Sequence, residues 1–130
     1  MFRILIAEDD YASRRIIQKI ISNYGDCFIA SDGLEAIQIY REVVEEGLLF
    51  DLFILDIMMP NIDGITVLKM IREEEKKKKM PFTEALFLTV LDDLNIITLA
   101  KNLDARVFKK PLTLTELNGF LHKIFINSPE

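Results

Sequence analysis

Five short apolar runs divide the chain, and each is followed by a longer stretch in which apolar residues recur at helical spacing. The short runs are rich in Ile, Leu, Val and Phe, which favours strands. Two of them, residues 4–7 and 52–55, are continuously apolar, as is typical of central parallel strands covered on both faces. We therefore predict strands over residues 3–7, 27–30, 52–56, 86–89 and 106–108.

The stretches between these runs carry the period of amphipathic helices. Asp10 has the residue type and position of an N-cap for the first helix, and Gly47 is suited to end the second. The predicted helices cover residues 11–23, 34–46, 64–76, 93–102 and 113–125.

Regular alternation of strand and helix predicts an α/β fold made of successive βα units. Right-handed crossovers then place helices on both sides of the sheet. We predict a flavodoxin-like five-stranded parallel sheet in the order 2-1-3-4-5, with five helices on both faces. The domain is expected to span residues 1–126, and residues 127–130 are expected to be a tail or the start of a linker.

Composition narrows the possible functions. The net charge of −5 argues against direct nucleic-acid binding by this chain, because such binding needs clustered cations. No apolar run reaches the roughly 18 residues of a membrane span, and the first residues resemble no targeting signal. The single cysteine, Cys27, excludes an internal disulfide framework and suits a reducing compartment. We therefore expect a cytoplasmic protein that does not bind membranes.

Polar residues stand where the predicted strands end. The acids at residues 8–10 follow the first strand, Asp56 ends the third, Thr89 ends the fourth and Lys110 follows the fifth. Ligands bind beyond the carboxyl ends of strands in open parallel sheets, so we expect these side chains to converge. Pro111 follows Lys110, and the bond between them is either trans or, as in a small minority of such bonds, cis.

The expected cluster has the chemistry of a phosphoryl site. The carboxylates of Glu8, Asp9 and Asp56 would repel by roughly 3 kcal/mol per pair at ~5 Å and an effective dielectric near ~20. Such a group must protonate, spread apart or bind a cation, and Mg²⁺ prefers oxygen ligands. One carboxylate can act as a nucleophile toward phosphorus. The hydroxyl of Thr89 and the ammonium of Lys110 suit phosphoryl oxygens.

These residues resemble those of bacterial two-component response-regulator receiver domains, of the chemotaxis-regulator type. The resemblance covers essentially the whole chain and implies that Asp56 accepts a phosphoryl group from a sensor histidine kinase or a phosphotransfer protein. It further implies that Thr89 and Lys110 read out the phosphoryl group. Four segments carry the match in order: residues 4–10, 51–64, 87–89 and 110–111.

The same resemblance implies a metal cofactor, Mg²⁺ or Mn²⁺. Its implied ligands are the side chains of Asp9 and Asp56 and the backbone carbonyl of Met58, with Glu8 acting through water. Two arrangements are compatible with the sequence, because the chain can act alone or within a longer protein.

Three departures from the family pattern concern the switch. Val107 stands where the family usually has an aromatic residue, while Phe108 should face the other side of the strand. The segment from Thr89 to Lys110 is about one residue shorter than usual, and Asp104 and Ala105 stand in place of the usual Gly-Ala pair. Val90 stands where the family usually has a very small residue. We expect phosphorylation to survive these changes, but not an aromatic switch of the usual form.

Two surface features allow alternatives. The fourth helix is apolar around much of its circumference, which indicates either a partner or homodimer surface along the fourth helix, last strand and fifth helix, or packing against the core. The charged run at residues 73–79 is interpreted as a solvated helix end in preference to a docking patch. His122 is expected to be an ordinary surface residue.

The leading interpretation is a signalling module that catalyses only its own phosphorylation and autodephosphorylation. A phosphatase with an aspartyl-phosphate intermediate is disfavoured, because no second acid lies two residues after Asp56. A flavin- or nucleotide-binding protein would need a phosphate loop where the acids at 8–10 stand. A receiver-like module used only for binding is the remaining alternative. Met58 and Leu91 cannot orient an attacking water, so we expect a long-lived aspartyl phosphate.

Overall fold

Strands and helices alternate along the whole described part of the chain, residues 2–126 of the computed structural model. The segment 127–130, predicted as a tail or linker, lies outside the described residues. The elements in order are β1 (Phe2–Ala7), α1 (Tyr11–Ile21), β2 (Gly25–Ala30), α2 (Gly33–Glu45), β3 (Leu52–Asp56), α3 (Gly64–Lys77), β4 (Glu84–Thr89), α4 (Leu94–Asn102), β5 (Arg106–Lys109) and α5 (Leu114–Phe125).

The five strands form one parallel sheet in the order β2-β1-β3-β4-β5, which confirms the predicted topology. The central position of β3 explains its unbroken apolar run, since all five of its residues are buried. Asp56, its last residue, pairs in register with Leu88 of β4. The third strand therefore delivers its acid directly to the carboxyl edge of the sheet.

Helices cover both faces of the sheet, as predicted, and they create two separate cores. Within β1, Leu5 and Ala7 pack under α2, α3 and α4, whereas Ile4 and Ile6 pack under α1 and α5. This alternation follows from the two-residue period of a strand. The last strand obeys the same rule, because Val107 packs toward the α4 side and Phe108 toward the α5 side.

The predicted and observed element boundaries agree to within two residues, and β2 shows why a difference arises. The strand begins at Gly25, two residues before the predicted start at residue 27, because its backbone pairs with β1 from Phe2 onward. A Cβ atom at Gly25 would collide with the Phe2 carbonyl oxygen, so the close strand contact requires glycine there. At the end of α2, Gly47 adopts φ 83°, the left-handed conformation expected of a residue that stops a helix.

The interpretation of the charged run at the end of α3 as a solvated helix end is wrong at one residue, Glu75. Its lysines, residues 76–79, are exposed as expected, but Glu75 is fully buried beside Arg72. The Arg72 Nη1 atom donates to Glu75 Oε1 at 2.7 Å, and the Thr83 N–H donates to Glu75 Oε2 at 2.8 Å. The run is therefore not wholly a solvated helix end.

Between residues 2 and 126, none of the helices is both long and apolar enough to cross a membrane.

Candidate functional site

The carboxyl edge of the sheet gathers the predicted site residues. Glu8 and Asp9 follow β1, Asp56 ends β3, Thr89 ends β4, and Lys110 directly follows β5. One carboxylate oxygen from each of Glu8, Asp9 and Asp56 lies within 4.8 Å of the others. The topology explains the cluster, because parallel strands end at the same edge.

Burial differs sharply among the three acids. Glu8 is fully buried and Asp56 is only 4% exposed, whereas Asp9 is exposed at the mouth of the site. Lys110 lies between the two buried acids, with its Nζ atom 2.6 Å from Glu8 Oε1 and 2.9 Å from Asp56 Oδ2. The Lys110–Pro111 bond is cis. The site thus sets three carboxyl groups against one ammonium group.

The pKa values of Glu8 and Lys110 are both raised in this cluster of three carboxyl groups and one ammonium group. Burial, followed by the hydrogen bond with Asp56, raises the pKa of Glu8 to about 7, against the lowering effect of Lys110. Burial by itself would lower the pKa of Lys110, but its hydrogen bonds with Glu8 and Asp56 outweigh burial and raise that pKa above its ordinary value. Lys110 therefore stays charged, and it does not fully compensate the acids around it.

Arg14 is a supporting residue that sequence reasoning missed. Asp10 caps α1 as predicted, accepting from the Ser13 N–H at 2.8 Å. One turn into the helix, Arg14 Nη1 donates to the backbone carbonyl of Glu8 at 2.9 Å. This bond holds the acidic loop against α1. The signal in the sequence is that Arg14 lies four residues after the Asp10 cap, on the first turns of the helix beside the loop.

The β3–α3 loop is shaped around Asp56. The Met58 N–H donates to Asp56 Oδ1 at 3.2 Å, so the Met58 main chain lies beside the acid while its side chain is 60% exposed. Asp63 caps α3 by accepting from the Thr66 N–H. A Cβ atom at Gly64 would collide with the Asp56 carbonyl oxygen, so glycine allows the start of α3 to approach the end of β3.

Thr89 joins the site to the β4–α4 loop. Its side chain is buried, and its Oγ1 atom accepts a hydrogen bond from the Leu91 N–H at 3.0 Å. Val107 lies on the neighbouring strand, where Phe87 and Val107 pair in register. Val107 faces the α4 side and Phe108 faces the opposite side, as predicted for these two positions of β5.

The α4 helix packs against the core, one of the two alternatives left open by its composition, and it also exposes apolar side chains. Ile96 and Ala100 are buried against the core, while Leu94 is 81% exposed and Ile97 is also exposed. One face of α4 thus packs on the sheet, and another presents apolar side chains to solvent. His122 on α5 is exposed, as expected.

Comparison with known proteins identifies the family to which this chain belongs. The response regulator receiver domain profile matches residues 4–122, nearly the whole described chain. The chain belongs to the response regulator receiver domain family. It is a receiver domain of two-component signalling systems, and receiver domains are signalling modules. This assignment favours the signalling interpretation over the phosphatase and flavin-binding alternatives.

Individual relatives support the same assignment. The chain is 30% identical to the transcription factor SKN7 of Candida albicans across 99% of its own length, but it spans only 22% of that relative. It is 29% identical to sporulation initiation phosphotransferase F of Bacillus subtilis, covering 93% of this chain and 91% of that protein. The fold also matches CheY in the CheX–CheY–BeF3–Mg²⁺ complex from Borrelia burgdorferi, with a TM-score of 0.80, 25% identity, and coverage of 95% of this chain and 89% of that chain.

Proposed function

We propose that this receiver domain is switched by transfer of a phosphoryl group to Asp56. The observation that carries the proposal is the buried Asp56 carboxylate at the carboxyl edge, within reach of two further acids and of the Lys110 ammonium group. Phosphoryl transfer needs positioning and charge stabilisation more than covalent help from the protein. The cluster offers a nucleophile, acidic metal ligands and a fixed cation in one place.

The residues fit a divalent cation, Mg²⁺ or Mn²⁺. The three carboxyl groups exceed the single ammonium group among them, and the donors are oxygen atoms of the kind that Mg²⁺ prefers. Asp9, Asp56 and the Met58 backbone carbonyl would hold the ion directly, and Glu8 would act through water. When bound, the ion would neutralise charge on the phosphoryl oxygens.

In the proposed step, an oxygen of ionised Asp56 attacks phosphorus of a phosphohistidine. The P–O bond forms as the P–N bond breaks, and the donor imidazole keeps the electron pair of that bond and takes up a proton. Lys110 Nζ already lies 2.9 Å from Asp56 Oδ2, so the ammonium group is positioned to bind a phosphoryl oxygen. The hydroxyl of Thr89 supplies a second donor from the adjacent strand.

The proposed phosphodonor is a sensor histidine kinase or a phosphotransfer protein. The proposed output surface is the α4–β5–α5 face, used for a partner protein or for a second copy of this chain. The exposed leucines Leu94 and Leu114 support it, because both leave large apolar side chains uncovered on that face. We place this activity in the cytoplasm, with no direct nucleic-acid contact by this chain, in keeping with its net charge of −5.

Incubation with acetyl phosphate and Mg²⁺, followed by intact mass, tests the proposal. We expect one phosphoryl group per chain in the wild type and none in Asp56→Asn. Asp92→Asn is the matched control, because Asp92 is an exposed acid of the β4–α4 loop, outside the carboxylate cluster. Equal incorporation in the wild type and Asp56→Asn would exclude Asp56 as the acceptor.

A further inference from the structure

A cleft of about 360 Å³ lies between α4 and β5 and opens beside Thr89. Its apolar walls include Ile96, Ala100 and Val107. Covering apolar walls that are open to solvent with another apolar side chain removes apolar surface from water, which is favourable. The cleft therefore favours any apolar side chain that can reach it.

Leu91 stands at the mouth of this cleft. It is one of the lining residues, yet its side chain is 46% exposed. The loop around it is charged rather than packed, and the Asp92 Oδ2 to Lys109 Nζ ion pair across the mouth is long, at 3.6 Å, and exposed. Exposed pairs of this kind resist movement only weakly. A short movement of the loop would take the Leu91 side chain from solvent into the cleft.

The position of Leu91 is tied to the phosphoryl site through one hydrogen bond. The Leu91 N–H donates to Thr89 Oγ1 at 3.0 Å. In the proposed function, the same Thr89 hydroxyl binds the phosphoryl group on Asp56. Rotation of that hydroxyl toward Asp56 would break the bond to Leu91. Phosphorylation would thus release Leu91 at the mouth of the cleft.

The opposite end of the cleft is held in place. Arg72, which is buried on α3, donates from Nε to the Leu103 carbonyl at 2.8 Å and from Nη2 to the Asp104 carbonyl at 3.3 Å. These bonds fix the turn between α4 and β5. Movement that closes the cleft must therefore come from the Leu91 end.

We infer that Leu91 is the switch residue of this domain: when Thr89 turns to a phosphoryl group on Asp56, the Leu91 side chain enters the cleft in front of Val107. The inference rests on the proposed function. The loop that carries Leu91 leads directly into α4, so its movement changes the exposed face of that helix. Burial of the exposed half of a leucine favours the closed loop by about fivefold.

Methyl NMR with Mg²⁺ and saturating beryllium fluoride, used in place of a phosphoryl group on Asp56, tests the inference. Saturation ensures that the variants are not distinguished by their rates of phosphorylation. We expect contacts between the Leu91 and Val107 methyl groups that are absent from the free protein. Leu91→Ala should reduce the ratio of closed to open loop about fivefold. Leu94→Ala, which removes a more exposed leucine of the same segment that does not line the cleft, should leave that ratio unchanged.

Val107→Phe provides a second test, because the larger ring fills the cleft in advance. We expect Leu91 to stay exposed in this variant even when fluorine NMR shows beryllium fluoride bound. Bound beryllium fluoride with no movement of Leu91 in the wild type would overturn the switch and leave the proposed function intact. If neither beryllium fluoride nor acetyl phosphate occupies Asp56, the proposed function fails and the switch falls with it. Entry of an α4 side chain into the cleft in place of Leu91 would also overturn it.

Discussion

Within residues 2–126, two buried charge clusters lie at opposite ends of the sheet. They differ in how fully the acidic groups are paired with basic groups. At the carboxyl edge, Glu8 and Asp56 share one lysine, and the pKa of Glu8 is raised to about 7 by burial and by Asp56. At the other end, Arg72 and Glu75 form a one-to-one pair at 2.7 Å. Both sites remove charge from water, but only the second compensates it within the protein.

The hydrogen bonds of the second cluster complete this balance. Arg72 also donates to the Leu103 and Asp104 carbonyls, and both carboxylate oxygens of Glu75 accept bonds. Buried charge that is paired and fully hydrogen-bonded belongs to the scaffold. Buried charge with an acidic excess is suited to receive a cation and a phosphoryl group. We therefore propose that the degree of charge compensation, and not burial, separates the structural cluster from the proposed phosphoryl site.

The largest expected effect comes from breaking the balanced pair. Arg72→Met leaves Glu75 buried without its cation, and we expect the free energy of unfolding to fall by about 3–5 kcal/mol. Urea denaturation measures the loss. The double variant Arg72→Met with Glu75→Leu removes both charges and should recover much of the stability. A loss below ~1 kcal/mol in the single variant would contradict the contrast between the two clusters.

A somewhat smaller effect should come from compensating the unbalanced cluster with metal. Mg²⁺ at 100 times its dissociation constant should raise the free energy of unfolding by about 2.7 kcal/mol, because the ion binds only the folded chain. Thermal unfolding with and without Mg²⁺ measures the gain. Asp9→Asn removes one carboxylate and should abolish the gain, whereas Arg72 and Glu75 should play no part in it. Equal stabilisation of the wild type and Asp9→Asn would refute the assigned ligand.

The lifetime of the phosphoryl group should change by a smaller factor. Met58 offers no hydrogen bond to an attacking water, so we expect slow loss of phosphate from the wild type. Met58→Asn supplies an amide and should speed hydrolysis about tenfold, or ~1.4 kcal/mol in activation free energy. Phosphoryl loss with Mg²⁺, followed by intact mass, measures the rate. A wild-type half-life of seconds that Met58→Asn does not alter would count against this prediction.

The smallest effect is expected at the lysines that follow Glu75. Lys77→Ala and Lys78→Ala replace exposed side chains, so each should change the free energy of unfolding by less than about 0.5 kcal/mol. The measurement is the same urea titration that is used for Arg72→Met. A loss approaching that of the Arg72 variant would mean that the charged run is structural throughout.

Most of the fold could be predicted because its signals are local. The unbroken apolar run of β3, the Asp10 cap and the stop at Gly47 each depend on neighbouring residues, and each appears as expected. The start of β2 could not be predicted in this way. Gly25 and Asp26 have little strand preference, and they join the sheet only because the backbone of β1 lies alongside them.

In the candidate site too, features with a local sequence signal were predicted, and features whose partners the sequence does not identify were missed. The residue types at the strand ends predicted which side chains meet at the carboxyl edge, because parallel strands must finish together. Arg14 was missed because its position after the Asp10 cap places it near the acidic loop but does not identify its partner, which is a backbone carbonyl. The burial of Glu75 was missed because its environment is built by residues outside the charged run, including Arg72 and Thr83.

The order of residues along the chain determined the α/β architecture, the sheet topology and the identity of the groups at its carboxyl edge. These follow from local periodicity and from the rule that parallel strands need crossovers of one hand. Only the tertiary structure decided how charge is balanced and where space is left. The pairing of Arg72 with a turn 31 residues away and the cleft before Val107 arise from distant segments. Compensation of charge and filling of space depend on all the neighbours at once, and packing alone brings those neighbours together.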